Sequence, residues 1–261
     1  MASCHPKEEP DESRQAPRRR ARGGCRPHAG VDDESVCKGA AIAATGGNSF
    51  LYAADFSHGS IDVFKGAAAA ANLSGSFADA SLPAGFAPFN VQALGGSLYV
   101  SYAQQDPTSP DEVDGAGLGF VDRFDLQGHL LGRVASGGAL NAPWGMAIAP
   151  ASFGALAGTL LVGNFGDGRI NAYDLNSDTW AGQLDGSNGQ PLSIDGLWGL
   201  SVGNDASAGS SQDLYFTAGP GDEAHGLFGV LQAVPEPAPA AMIALALACL
   251  PWRTAALQRR R

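Results

Sequence analysis

From residue 37 to 233, apolar residues come in short runs, each ended by glycine beside Asp, Asn, Ser or His. Residues 51–64 give an apolar stretch, a turn at His58-Gly59 and a second, alternating stretch. Residues 160–173 repeat that pattern around Asp167-Gly168 and align with the first set without a gap. Each reads as a β-hairpin, because glycine accepts the positive φ that a tight turn between strands demands. Two weaker copies follow the same order: 98–102 leading across a long insertion to 119–124, and 214–218 leading to 226–230. A further strand-like element precedes three of the hairpins, at 87–91, 142–146 and 196–200, with Phe89, Trp144 and Trp198 at its third place.

The hairpins begin at residues 51, 98, 160 and 214, which are 47, 62 and 54 residues apart. A repeat of about 40 to 50 residues with three or four strands reads as a β-propeller blade, the longer spacings being taken up by loops at 104–118 and 151–158. The expected fold class is therefore all-β: propeller-like repeats over 37–233, about four blades, followed by a C-terminal apolar helix. A closed four-bladed ring is conceivable, but a body of this length sits more comfortably as part of a larger ring, so the repeats predict an N-terminally truncated propeller. Missing blades would leave an open edge, which a sheet protein must cover or close. The 36 glycines and a charged fraction of 16% agree with many turns and a sizeable core.

The two ends differ from the body. Residues 1–36 are polar, with Pro6, Pro10, Pro17 and an arginine run at 18–20, and lack an apolar stretch. They are expected to be disordered or spurious, and they do not form a secretory signal peptide. At the other end, Val234-Pro235-Glu236-Pro237 precedes a nearly all-apolar stretch over 238–252, and Arg259-Arg260-Arg261 closes the chain. Fifteen apolar residues fall short of the roughly 20 that span a bilayer. Extending to Leu257 reaches that length by including Arg253, whose side chain can snorkel to the interface.

Over 234–261 this order of Pro-Glu-Pro, apolar segment and basic cluster resembles the PEP-CTERM sorting signal of Gram-negative bacteria. The resemblance implies an exported protein with a transient inner-membrane anchor, then a cell-surface or extracellular place. Its implied partners are exosortase-type sorting machinery, the membrane and exopolysaccharide. The sorting residues would be Val234, Pro235, Glu236, Pro237, Arg259, Arg260 and Arg261. The stretches at 51–56, 87–91, 142–145, 164–168 and 197–200 also resemble an uncharacterised family of secreted bacterial propeller-like proteins. That likeness implies a fold and a location but no catalytic residues. The expected function is thus an exported surface or matrix-associated protein of unknown activity. The alternative is a secreted propeller hydrolase or lyase acting on a polymer or lactone.

Charge narrows the partners. Residues 37–233 hold 5 basic and 18 acidic side chains, a poor match to nucleic acid, whose phosphates need Lys and Arg. Asp106, Asp111, Glu112 and Asp114 crowd one insertion and are candidate calcium ligands, since hard cations take several carboxylate oxygens. The default for that loop is a solvated insertion. Asp55 and Asn164 hold equivalent places in the repeat, as ligands or as turn-bonding groups. Trp144 and Trp198 would stack on sugars or pack between blades. The three body histidines, His58, His129 and His225, lack metal-ligand spacing, and neither a GxSxG element nor a phosphate-binding P-loop occurs. No catalytic residue stands out. Cys4, Cys25, Cys37 and Cys249 lack CxxC spacing and are expected to be unpaired.

Overall fold

A computed structural model describes residues 35–234 of the 261-residue chain. The elements run from Cys37 to Leu231 and form four antiparallel sheets that follow one another along the chain. Sheet 1 contains β1 (Cys37–Thr45), β2 (Asn48–Asp55) and β3 (Ser60–Lys65). Sheet 2 contains β4 (Phe86–Leu94), β5 (Ser97–Gln105), β7 (Phe120–Phe124) and β8 (Leu130–Ser136), with β6 (Glu112–Val113) paired to the end of β5. Sheet 3 contains β9 (Pro143–Ile148), β10 (Leu160–Asn164), β11 (Ile170–Asp174) and β12 (Thr179–Gln183). Sheet 4 contains β13 (Leu197–Val202), β14 (Leu214–Ala218) and β15 (Leu227–Leu231). The expected all-β class therefore holds, and the sequence hairpins are the second and third strands of each sheet.

The turns form for the expected reason. Gly59 and Gly168 sit at φ +68° and +69°, a region closed to most side chains. Each sheet then steps away from its first strand in sequence order. The first strands stand side by side, β1 against β4, β4 against β9, and β9 against β13.

The cores lie between successive sheets. Tyr52, Ala54 and Ile61 of sheet 1 pack with Val91, Leu98 and Val100 of sheet 2. Tyr99, Val121 and Val134 of sheet 2 pack with Met146, Leu160 and Val162 of sheet 3. Leu161, Ile170 and Ala172 of sheet 3 pack with Leu200, Leu214 and Phe216 of sheet 4. Alternation along each strand sends successive side chains to opposite neighbours, so an inner sheet reads as continuously buried. All five residues of β10 are buried, for example.

Three expectations need correction. The helical segment among the described residues is a 3-10 turn at Ala151–Leu156. No helix among them is long and apolar enough to cross a membrane. The apolar stretch at 238–252 and the sorting residues Pro235 to Arg261 lie outside the described residues. The transient membrane anchor is therefore withdrawn. Finally, Cys37 is disulfide-bonded, against the expectation of unpaired thiols.

Candidate functional site

Every sheet carries the same irregularity in its first strand. The pairing of β1 with β2 shifts between Cys37 and Gly39, and that of β4 with β5 between Pro88 and Asn90. In β9 the shift falls between Pro143 and Gly145, and in β13 between Leu197 and Leu200. Each is a β-bulge, which adds a residue to one strand and re-aims its side chain. The extra residues are Lys38, Phe89, Trp144 and, with Gly199, Trp198. The aromatic seen at the third place of three sequence elements is thus the bulged residue, and Lys38 is its counterpart in sheet 1.

These side chains meet in one cluster, joined by Phe56 and Phe165 from the ends of the neighbouring second strands. Trp144 and Trp198 meet edge to face, with centroids 5.2 Å apart and planes at 88°. Trp198 also contacts Phe165 at 4.6 Å and Phe89 at 6.4 Å. Phe56 lies 5.4 Å from Phe89. Edge-to-face and tilted pairs suit the ring quadrupoles and add to the area they bury. The Trp144 indole Nε1 donates to the Lys38 carbonyl at 3.1 Å, and the Asn90 amide donates to the Trp144 carbonyl at 2.7 Å. The tryptophans therefore pack and tie sheets together.

Lys38 brings a cation to the cluster. Its Nζ lies 5.7 Å from the Phe56 ring centre and 6.0 Å from that of Phe89, within cation–π range. It also pairs with Asp111 and Glu112 at 3.3 Å each. Burial pushes the Glu112 carboxyl above its ordinary pKa, against the pull of Lys38.

The candidate calcium residues over 106–114 are engaged in other contacts. Asp106 accepts bonds at 2.7 Å from the Thr108 backbone N–H and hydroxyl, capping its own turn. Asp111 and Glu112 are engaged by Lys38. Asp114 faces sheet 3, where burial and the charge of Asp167 raise its pKa. Among the described residues, no three His, Cys, Asp or Glu side chains gather as a metal-holding group.

Asp55 and Asn164 occupy matching places and are both buried. Asp55 accepts from the Ser57 hydroxyl at 2.7 Å and from the His58 backbone N–H at 3.2 Å, and His58 Nδ1 lies at 2.9 Å. Burial alone would raise this carboxyl, but the bonds from His58, Ser57 and Ser35 outweigh it and hold the pKa at about 2. Asn164 donates to the Ala139 carbonyl at 2.8 Å and to Asp167 at 3.0 Å. Both residues brace the turn after the second strand. The Asp55–Ser57–His58 group has the members of a triad in another arrangement. A triad places the acid on one ring nitrogen and the serine on the other. Here the serine donates to the acid, and His58 Nδ1 is the ring nitrogen near both.

A second buried charge group lies in sheet 2. Arg133 Nε donates to Asp122 at 2.7 Å, and its Nη2 contacts Asp79. The guanidinium also stacks over Phe120, 4.8 Å from the ring centre. Asp122 is fully buried and its pKa is raised by burial despite Arg133.

No family model matches the chain. It is similar to two uncharacterised proteins of Acanthamoeba polyphaga mimivirus, at 37% and 38% identity over 203 residues. Those matches cover 74% and 76% of this chain but 47% and 51% of the relatives. A third uncharacterised protein of the same virus is 38% identical over 120 residues, which is 22% of its length. The chain thus spans about half the length of the first two. Among solved structures, hydrazine synthase of Kuenenia stuttgartiensis overlaps 80% of this chain and 49% of its own, at 13% identity and a TM-score of 0.46. The relatives are viral, so the assignment to a bacterial family with a PEP-CTERM tail is overturned.

Proposed function

We propose that this chain is four consecutive blades of a larger β-propeller, acting as a binding scaffold. The observation that carries the reading is the fourfold bulge, with Lys38, Phe89, Trp144 and Trp198 entering one shared cluster from four successive first strands. A propeller blade starts at the axis and steps outward strand by strand, which is the order of these sheets. The relatives are about twice as long as the matched region, which favours a ring of more than four blades.

The scaffold reading is favoured over a hydrolase or lyase because the side chains near the axis are spent on packing. Aromatic rings fill the place where a propeller enzyme would hold a substrate, and Lys38 is held by two carboxylates. The acidic surface favours a neutral or basic partner over nucleic acid.

The test takes the full chain through ester, lactone and polysaccharide substrates, with and without added calcium. No turnover above a His58→Ala control is expected. Turnover that His58→Ala or Asp55→Asn abolishes would replace the scaffold with an enzyme. Small-angle scattering on the same sample tests the architecture. A wedge of four sheets radiating from one axis is expected, and a profile of separated bodies would overturn it.

A further inference from the structure

The repeat allows residues of the end sheets to be compared with their counterparts inside. Leu51 of sheet 1 corresponds to Leu160 of sheet 3, and Phe64 to Tyr173. Leu160 is 0% exposed, packed against sheet 2, whereas Leu51 is 37% exposed. On the same face of sheet 1, Ile42 lies directly opposite Leu51 and is 71% exposed. At the other end, Phe228 of sheet 4 corresponds to Ile170 of sheet 3, and Val230 to Ala172. Ile170 and Ala172 are fully buried against sheet 4, whereas Phe228 is 70% and Val230 45% exposed. Phe228 stacks on Tyr215 of the adjacent strand, so the face presents a preformed aromatic plate.

The residue after Lys38, Phe89, Trp144 and Trp198 tells the same story. A Cβ on Gly39 would strike Asn90 of sheet 2, and one on Gly145 would strike the Trp198 carbonyl at 2.4 Å. Asn90 itself bonds the Trp144 carbonyl. In three sheets this position meets the next sheet's first strand. In sheet 4 the position is Gly199, where the nearest atom is Thr217 Oγ1 of its own sheet. Sheet 4 is therefore built for a neighbour on its far side, and sheet 1 for one on its near side.

We propose that a second copy of this chain supplies both neighbours, sheet 4 of each copy packing on sheet 1 of the other. The proposal rests on the propeller reading. A head-to-tail contact made twice closes a two-fold ring. Within the repeat, the far face of each sheet packs on the near face of the next, so the far face of sheet 4 has the form that receives the near face of sheet 1. The two faces are also of matching kind: Phe228, Val230 and Tyr215 on one, Ile42, Leu51 and Phe64 with Ala40 and Ala44 on the other. Their mating would repeat the aliphatic-on-aromatic packing between sheets 3 and 4.

The experiment is sedimentation equilibrium and light scattering on the full chain over a wide concentration range. A mass twice the chain's 26.6 kDa is expected. Ile42→Glu and Phe228→Glu should each weaken the dimer at least tenfold, while Leu131→Glu, an exposed change on β8 away from both faces, leaves it intact. Circular dichroism checks that each variant folds. Mixing the two disrupted variants should restore a dimer through one unmodified junction, which only a head-to-tail contact allows. A monomer at every concentration, a dimer indifferent to both substitutions, or a mixture that stays monomeric would overturn the proposal. If the chain is monomeric but its scattering fits four radiating sheets, self-association alone fails. If that fit fails too, the propeller reading falls with it.

Discussion

Sheet 3 and sheet 4 share a repeat but not an environment. The middle strands of sheet 3 alternate between two packed neighbours and are buried almost throughout. Sheet 4 buries Leu214, Phe216 and Ala218 on one face and leaves Phe228 and Val230 exposed on the other. The same strand pattern is therefore worth different amounts of stability at the two places. Burying a large aliphatic side chain contributes about 1.5–3 kcal/mol, and leaving it in water contributes little. An interior sheet draws that gain on both faces, an end sheet on one.

The sharpest test of this difference is at the junction of the sheets. Trp198→Ala removes the ring that touches Trp144, Phe165 and Phe89, and should cost about 3–5 kcal/mol in chemical denaturation. Phe228→Ala in the dissociated monomer, an aromatic truncation on the uncovered face, should cost no more than about 1 kcal/mol. Equal losses would mean that the end face is covered in solution. Arg133→Met should come close to the tryptophan in size, about 3 kcal/mol or more, because Asp122 would remain buried without its partner. Adding Asp122→Asn to Arg133→Met should recover much of that loss, and no recovery would mean that the charge pair is not what the site holds.

Much of this fold could be read from the chain, and the parts that could not have a common cause. The hairpins at β2–β3 and β10–β11 were legible because Gly59 and Gly168 mark turns with positive φ. The first strands of sheets 2, 3 and 4 showed through their repeated aromatic. The strand β1 was hidden as a copy because Lys38 stands where the others carry Phe or Trp. The outer strands β8 and β12 carry little alternation, since their exposed edges need none. The insertion at 106–114 offered calcium as a candidate because the cation that pairs with two of its carboxylates, Lys38, lies 73 residues before Asp111 in the chain. The tail over 234–261 resembled a bacterial sorting signal in its order of Pro-Glu-Pro, apolar segment and basic cluster, and similarity over the chain pointed to viral relatives instead. Local chemistry was visible, and chemistry completed from a distance was not.

A smaller effect tests the bulge positions themselves. Gly145→Ala would push a methyl group into the backbone of sheet 4, where neither side can easily give way, and should cost about 1–3 kcal/mol. Gly199→Ala meets the Thr217 side chain and, at ordinary contact distance, the Trp144 ring rather than backbone, and its thermal midpoint should stay near that of the parent in the monomer. A loss at Gly199 as large as that at Gly145 would place a neighbour on the far face of sheet 4.

The smallest expected effect concerns the paired positions Asp55 and Asn164, which brace equivalent turns with and without a titrating group. Asp55 is held at a pKa of about 2 by the bonds from His58, Ser57 and Ser35. Its folded value lies below the ordinary carboxylate value near 4. Its contribution is therefore fully present above about pH 4 and is lost as pH falls through about 2. The bonds that hold it reach partly exposed groups, so the contribution is on the order of 1 kcal/mol after screening by solvent. Asp55→Asn should flatten the stability profile between pH 4 and pH 2. Denaturation midpoints measured at pH 6, 4, 3 and 2 on both proteins would settle it. If the two profiles stay parallel, the His58 and Ser57 bonds are not what sets the acid response of sheet 1.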